Sequence, residues 1–297
     1  MIRKVLKIET VDELNKLTQV HTRHTSVCVL DNPVFMLPEE YSGIKTGLYI
    51  ILIQKTEDDC TSHGCKCYDF RELSLTFHAP GEKIEIREKS GYVKVIAFHP
   101  DLFGKSGSGV QKPHRSFFDY KNTEALHISA REKQTLWGLL NNLCHELRYG
   151  VDMYSRTLLA THVSLLLDYC TRFYQRQFYL RANLNKEILS RFDNWLDGYI
   201  FSSLPEKKRL PSYKDMAEMQ GLSLAYFTDM LRIETGDTLL EHVQTHLIDM
   251  AKRRVMNKSE YLEDIAAELG FSNMQSFNRL FKKLTGYSPK DYRMQAS

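Results

Sequence analysis

Apolar positions follow two different periods along this chain. Over the first 125 or so residues they come in short β-rich runs, at 25–30, 47–55, 73–78, 83–86 and 92–98. Turn signals such as Asp31-Asn32-Pro33, Ala79-Pro80-Gly81 and Ser90-Gly91 separate them. That spacing predicts a small antiparallel barrel or sandwich. From Ser129 the period becomes helical. Ser129 and Glu132 have capping-box spacing; Leu136, Leu140, Leu143 and Leu147 mark one helix face, and Leu158, Leu159, Val163, Leu166, Leu167, Cys170 and Phe173 mark a second. A charged, aromatic stretch at 172–181 leads out, with a short hinge expected at 182–185.

The last part of the chain contains one phrase twice. Asp215-Met216-Ala217-Glu218-Met219-Gln220-Gly221-Leu222-Ser223 runs on to Phe227, Leu231, Thr235 and Gly236. Asp264-Ile265-Ala266-Ala267-Glu268-Leu269-Gly270-Phe271-Ser272 runs on to Phe277, Phe281, Thr285 and Gly286. The offset is 49 residues up to the Ser and 50 from the Phe onward, so one residue has slipped inside the second turn. The small Ala permits close helix approach, Gly permits the turn, and Ser can cap the following helix, whose inner face the two apolar residues bury. The pattern predicts two helix-turn-helix units, with the second helix of each a reader of a DNA major groove. A structural α-hairpin or a protein-binding helical repeat is the alternative.

Between the copies, Thr238 and Glu241 have capping-box spacing, and Leu239, Val243, Leu247, Ile248, Ala251 and Val255 carry a helix toward Asn257. A helix of about 20 residues is a rod of roughly 30 Å, close to the roughly 34 Å between successive major grooves on one face of B-DNA. Ser259 is placed to cap a helix from Tyr261. Ser288-Pro289 with Asp291 opens a last short helix, and Ile188, Phe192, Trp195, Leu196 and Tyr199 form a stripe suited to packing on the first copy.

The runs Ile265-Ala266-Ala267-Glu268-Leu269-Gly270-Phe271-Ser272, Ser276-Phe277-Asn278-Arg279-Leu280-Phe281-Lys282-Lys283 and Gly286-Tyr287-Ser288-Pro289-Lys290-Asp291-Tyr292-Arg293 resemble the signature of the AraC/XylS family of bacterial transcription regulators, over about residues 184–297. The resemblance implies a seven-helix DNA-binding domain in a cytoplasmic, bacterial protein. Double-stranded promoter DNA and RNA polymerase are its implied partners. By position it assigns Met274, Gln275, Ser276 and Arg279 to base edges and Lys282 or Lys283 to phosphate, with Asn273 and Asn278 as weaker neighbours. Side-chain chemistry agrees, because Arg pairs with guanine, Gln with adenine, and Met touches a thymine methyl. The first reading helix would present Leu224, Ala225, Thr228 and Asp229, which departs from the larger polar or basic groups common in the family. Leu247 similarly stands where Arg is frequent. Base reading is therefore expected to rest mainly on the second unit.

Charge changes the picture in one respect. Residues 184–297 carry 16 Lys plus Arg and 16 Asp plus Glu, a net charge of zero. Any phosphate-binding surface must be local, with Lys252, Arg253, Arg254, Arg279, Lys282, Lys283 and Arg293 as its candidates. At 297 residues and 42% apolar, the chain suits two soluble domains with separate cores. No signal peptide or membrane-spanning run is expected.

A looser resemblance connects Thr76-Phe77-His78-Ala79-Pro80-Gly81 and Phe98-His99-Pro100 to the cupin-like sensing domain that precedes many AraC-type domains. It implies a sensing domain at 1–128, helical connector and dimerisation helices at 129–181, and the DNA-binding domain at 184–297. The implied protein is a homodimeric regulator, an activator by family analogy, responding to a small-molecule effector or to oligomerisation. A ligand-independent dimer, or a metal-dependent cupin enzyme, is the alternative. Tyr49, Ile51, Phe77, His78 and Phe98 are candidate lumen residues. His78, His99, His114 and His127 are too scattered for a metal-dependent cupin cluster, and the glycine-rich stretch 104–109 has no phosphate-loop pattern, so neither enzyme activity nor a cofactor is expected. Cys60, His63, Cys65 and Cys67 crowd four soft ligands into eight residues, yet match no usual Cys-x2-Cys spacing. No metal ligand is assigned to them, and Cys28, Cys144 and Cys170 read as core.

Overall fold

The computed structural model describes residues 4–55, 64–67, 69–86, 92–104, 114–201 and 210–295. The chain divides into two compact units, Met1–Arg181 and Ala182–Ser297. Cys60 and His63, the Ser90-Gly91 turn and most of the 104–109 stretch fall outside the described residues.

The first unit is a sandwich of two sheets. Strands β1 (Lys4–Ile8), β3 (Tyr41–Thr46) and β6 (Lys83–Glu85) form the smaller sheet, in the order β1-β3-β6. Strands β2 (Val27–Asp31), β7 (Tyr92–Phe98), β4 (Tyr49–Lys55), β5 (Leu73–His78) and β8 (Leu126–Ile128) form the larger, in the order β2-β7-β4-β5-β8. Four pieces lie outside the runs expected from the hydrophobic pattern: β1, β3, β8 and a short helix, α1 (Val11–Leu17). β1 is mostly exposed and carries two lysines, and it pairs parallel with β3, so the unit is not wholly antiparallel. Helix α1 follows it and is opened by a capping box of Thr10 and Glu13.

Strand register sorts the core into two layers. Cys28, Leu30, Ile50, Leu52, Val95 and Ala97 point between the sheets and pack with Ile44, Ile84, Val11 and Leu14. Burial pushes the Cys28 thiol up to about 12, so it behaves as a small apolar group. The opposite face holds Tyr49, Ile51, Phe77 and Phe98. There Phe77 meets Phe117 at 4.4 Å and Tyr49 meets Phe118 at 4.7 Å between ring centroids. His78 pairs with Ile50, and side chains alternate along a strand, so His78 points between the sheets. The five lumen candidates thus divide between two faces. Only His78 lies between the sheets, with Nδ1 3.2 Å from Glu82 Oε1.

Helices α2 (Ala130–Glu146) and α3 (Ser155–Leu180) cover the aromatic face. Ser129 and Glu132 form the expected capping box on α2, and Leu136, Leu140 and Leu143 are buried. Along α3 the expected face is buried except for Leu158, which is 44% exposed, as is Leu165 one heptad on. α3 also closes the sheet at β8. Gln177 accepts from His127 N at 2.8 Å and donates to Ala125 O at 3.0 Å, while Arg176 donates to His127 O at 2.7 Å. A strand edge that would otherwise expose unpaired amides is covered by a helix.

The second unit is all helical. It contains α4 (Ala182–Phe201), α5 (Tyr213–Met219), α6 (Leu224–Thr235), α7 (Leu239–Val255), α8 (Leu262–Glu268), α9 (Met274–Thr285) and α10 (Pro289–Gln295). The hinge expected at 182–185 is instead the first turn of α4, and Asn185 is fully buried with Nδ2 donating to Glu234 Oε1 at 2.8 Å. Phe192 of α4 meets Phe227 of α6 edge-on at 5.1 Å, as its stripe required. Two further ties hold α4 to α7: His242 to Asp193 at 2.8 Å and His246 to Asp197 at 2.7 Å. Among the described residues no helix is long and apolar enough to cross a membrane.

Candidate nucleic-acid interface

Both copies of the repeated phrase fold into a helix, a tight turn and a second helix. Gly221 and Gly270 take φ of 75° and 81°, left-handed values that suit glycine at the turn. The reading helices end identically. Thr235 donates to Leu231 O at 2.8 Å and Thr285 to Phe281 O at 2.7 Å, and Gly236 and Gly286 then turn at φ 82° and 83°.

The one-residue slip changes which residue caps. α6 starts at Leu224, with Ser223 Oγ accepting from Tyr226 N at 3.1 Å. α9 starts at Met274, one residue later in the phrase, and there Asn273 Oδ1 accepts from Ser276 N at 2.8 Å. Ser272 is therefore not the cap of the second reading helix. Nor does Ser259 cap α8, whose N-cap position is Tyr261 without a side-chain bond. Ser288 does cap α10, accepting from Asp291 N at 3.2 Å.

α9 is sharply two-faced. Phe277 and Phe281 are fully buried, and Tyr292 of α10 meets the Phe281 ring at 5.4 Å. Gln275, Asn278, Arg279 and Lys282 stand exposed at helical spacing on the other side, with Lys283 beside them and Met274 and Ser276 half-buried at the amino end. Advancing α6 by 50 residues places Ala225, Thr228, Asp229 and Arg232 on the same stripe. Ala225, Thr228 and Asp229 are half-buried and Arg232 is exposed. The stripe of α6 carries one acid and one base, while that of α9 carries two bases and two amides. Arg232 and Asn278 belong to these stripes by geometry; the 50-residue offset is the signal that would have picked out Arg232.

The basic candidates separate on inspection of their partners. Arg254 bonds Glu260 at 2.7 Å through Nε and Glu268 at 2.7 Å through Nη1; Lys252 pairs with Asp249 at 2.7 Å. Arg293 donates to Val255 O at 2.7 Å and Glu260 O at 2.9 Å, pinning α10 to the end of α7. Those three cations serve the fold. Among the described residues Arg253, Arg279, Lys282 and Lys283 form no salt bridge, so three of the four candidates left without one lie on α9. α7 spans 17 residues, roughly 26 Å. Leu247 is buried on it and lines an apolar cavity of about 360 Å³ with Leu210, Met216, Val243, Phe271 and Leu280.

Known proteins match this same unit. A family model described as a helix-turn-helix domain matches residues 216–295. The uncharacterized HTH-type transcriptional regulator YobQ of Bacillus subtilis is 34% identical over 96 residues, 32% of this chain and 39% of that protein. The regulatory protein SoxS of Salmonella typhimurium is 27% identical over 109 residues, 37% of this chain but 95% of SoxS. The chain thus spans about two fifths of YobQ and nearly all of SoxS. The crystal structure of ToxT from Vibrio cholerae aligns over 84% of this chain and 88% of its own, at 12% identity and a TM-score of 0.32, too low to speak for the first unit. Two helix-turn-helix units of matching turn and closing chemistry, in the region these regulators share, give the chain a helix-turn-helix DNA-binding domain of the AraC/XylS type at its C-terminal end.

Proposed function

We propose that this regulator reads promoter DNA in a sequence-specific way chiefly through α9, with α6 contributing orientation more than base contacts. The observation that carries this is the contrast between the two stripes. Arg279 stands exposed, without a salt bridge, between Gln275 and Lys282, whereas the matching position of α6 is Asp229. Arg279 has the fork to pair with guanine O6 and N7, Gln275 can pair with adenine, and Met274 can touch a thymine methyl. Ser276 reaches a base edge or the backbone, and Lys282 and Lys283 reach phosphates. In α6, Ala225 and Thr228 offer small contacts, and Asp229 either accepts from cytosine N4 or repels phosphate.

Residues 1–128 are the sensing part, 129–181 the connecting and dimerising part, and 184–297 the DNA-binding part of this proposal. Exposed Leu158 and Leu165 support α3 as a homodimer contact, since two leucines a heptad apart on one exposed face gain by meeting a copy of themselves. A small-molecule effector or oligomerisation would then reposition paired DNA-binding domains and alter contact with RNA polymerase, with activation as the outcome. The dense packing around Tyr49, Ile51, Phe77 and Phe98 favours a dimerising first unit over one with a ligand on that face.

The test is genome-wide occupancy in the source organism for wild type and Arg279→Ala. Discrete upstream peaks that vanish in the variant are expected, with specific affinity in vitro falling roughly 5- to 150-fold, the equivalent of about 1–3 kcal/mol for one bidentate contact. Peaks that persist unchanged would remove α9 as the reader.

A further inference from the structure

The spacing of Cys60, His63, Cys65 and Cys67 matches no metal pattern, but the fold supplies Cys65 with other neighbours. Its Sγ, a carboxylate oxygen of Asp69 and a ring nitrogen of His127 all lie within 4.8 Å of one another. Asp69 and His127 are buried and Cys65 is half-exposed. Sequence separates His127 from the other two, and β5 and β8 bring it in by pairing His127 with Ser74. Ser74 is 1% exposed, and its Oγ has no hydrogen-bond partner among the described residues. A second constraint fixes the backbone next to the cysteine and leaves its side chain room to turn. Gly64 has φ 66°, and a Cβ there would sit 1.7 Å from Thr123 O, so only glycine lets this loop lie against the chain leading into β8.

We propose that Cys65, Asp69 and His127 form a binding site for a divalent d-block cation of the zinc type, open at a fourth position. Thiolate, imidazole and carboxylate together suit a borderline-soft ion, whereas calcium and magnesium take oxygen ligands. Tetrahedral zinc bonds of 2.0–2.3 Å set neighbouring ligand atoms about 3.4 Å apart, so the trio must close by at most about 1.4 Å. Cys65 is the half-exposed member and is the one placed to move. Asp69 is already oriented, accepting from Lys66 N at 2.7 Å and from Arg181 Nε at 3.0 Å, as carboxylate ligands commonly are by outer hydrogen bonds.

Arg181 makes the site conditional. Its guanidinium pairs with Asp69 through both oxygens and also donates to Gly64 O at 3.3 Å. One thiolate and one carboxylate neutralise a dication, which leaves the nearby guanidinium without a counter-charge. Metal and Arg181 therefore compete for Asp69. Arg181 is the capping residue at the end of α3, and the next residue begins α4, so the competition acts where the chain passes from the first unit to the second.

The experiment is titration of the full-length, reduced protein with cobalt(II), followed by zinc(II) displacement. Wild type is expected to take up one ion per chain with a near-ultraviolet thiolate-to-cobalt band that zinc abolishes. Cys65→Ala should lose the band and the stoichiometric ion while keeping the far-ultraviolet dichroism of wild type, because the residue is half-exposed. Arg181→Gln should bind about tenfold tighter or more, through removal of a like charge. No band in wild type, or a band that survives Cys65→Ala, overturns the site; binding unchanged or weaker in a folded Arg181→Gln overturns the competition.

Discussion

The slip inside the second turn makes a sharp prediction about two adjacent residues. By the repeated phrase alone Ser272 is the counterpart of Ser223 and should cap α9, but the structure gives that role to Asn273, whose Oδ1 accepts from Ser276 N at 2.8 Å. Asn273→Ala deletes that bond and leaves one more amide of the first turn without a protein partner, a loss of about 1 kcal/mol within a range of roughly 0.5–2. In a helical unit of somewhat over 100 residues this lowers Tm by roughly 4 °C. Ser272→Ala removes only an exposed side-chain contact, in which Ser272 Oγ accepts from Asn273 Nδ2 at 3.3 Å. Its cost should stay within about 0.5 kcal/mol. Urea unfolding of the full-length variants, followed by tryptophan fluorescence and far-ultraviolet dichroism, separates them. Asn273→Ala should also weaken specific DNA binding, since the frayed turn holds Met274, Gln275 and Ser276. Equal losses in the two variants, or a larger one in Ser272→Ala, would refute the assignment of the cap.

Three further outcomes are expected. Phe281→Ala empties a fully buried site between Phe277 and Tyr292 and should cost about 3–5 kcal/mol in urea unfolding, enough to abolish DNA binding by unfolding the unit. Gly43→Ala should prevent β3 pairing with β6, because a Cβ there would lie 2.3 Å from the Ile84 carbonyl oxygen; thermal unfolding would show the first unit destabilised and the second unaffected. Asp152 accepts from the amides of Tyr154 and Ser155, both at 2.8 Å, and the Tyr154 bond foremost holds its carboxyl below the ordinary value. A depressed folded pKa gives stability that is present above the unfolded value of about 3.9 and fades as pH falls through the folded one. The stability gap between wild type and Asp152→Ala should accordingly be constant at neutral pH and close in acid.

The second unit was largely legible because its punctuation is chemical. Ser223, Thr238 and Ser288 all cap where spacing put them, and Thr-Gly closes both reading helices. Failures came where one residue could serve in two registers, as with Ser272 beside Asn273, or where charge was counted without its partners, as with Arg254 and Arg293. In the first unit the positions of β2, β4, β5, β6 and β7 were legible but faces were not, and β1, β3 and β8 were missed. Phe77 and His78 are adjacent, so they cannot line one surface, and only the pairing of β4 with β5 says which belongs where. β1 carries too little apolar character to announce itself. The Cys65, Asp69 and His127 grouping depends on β5 meeting β8, a long-range contact with no local signature.

Gln177 gives the larger sheet an unusual boundary. One carboxamide offers an acceptor and a donor to the His127 amide and the Ala125 carbonyl, much as the backbone of one more strand would. The sheet is thereby terminated by a side chain, and a free chain end or a neighbouring molecule finds no vacant ladder at β8 to extend. The same two bonds fix the longitudinal register of α3, because sliding the helix by a single residue, about 1.5 Å, would release both. A helix fastened in this way cannot act as a piston. Under the proposed sensing role, a signal carried by α3 would travel as a change at its end, not as a shift of its length.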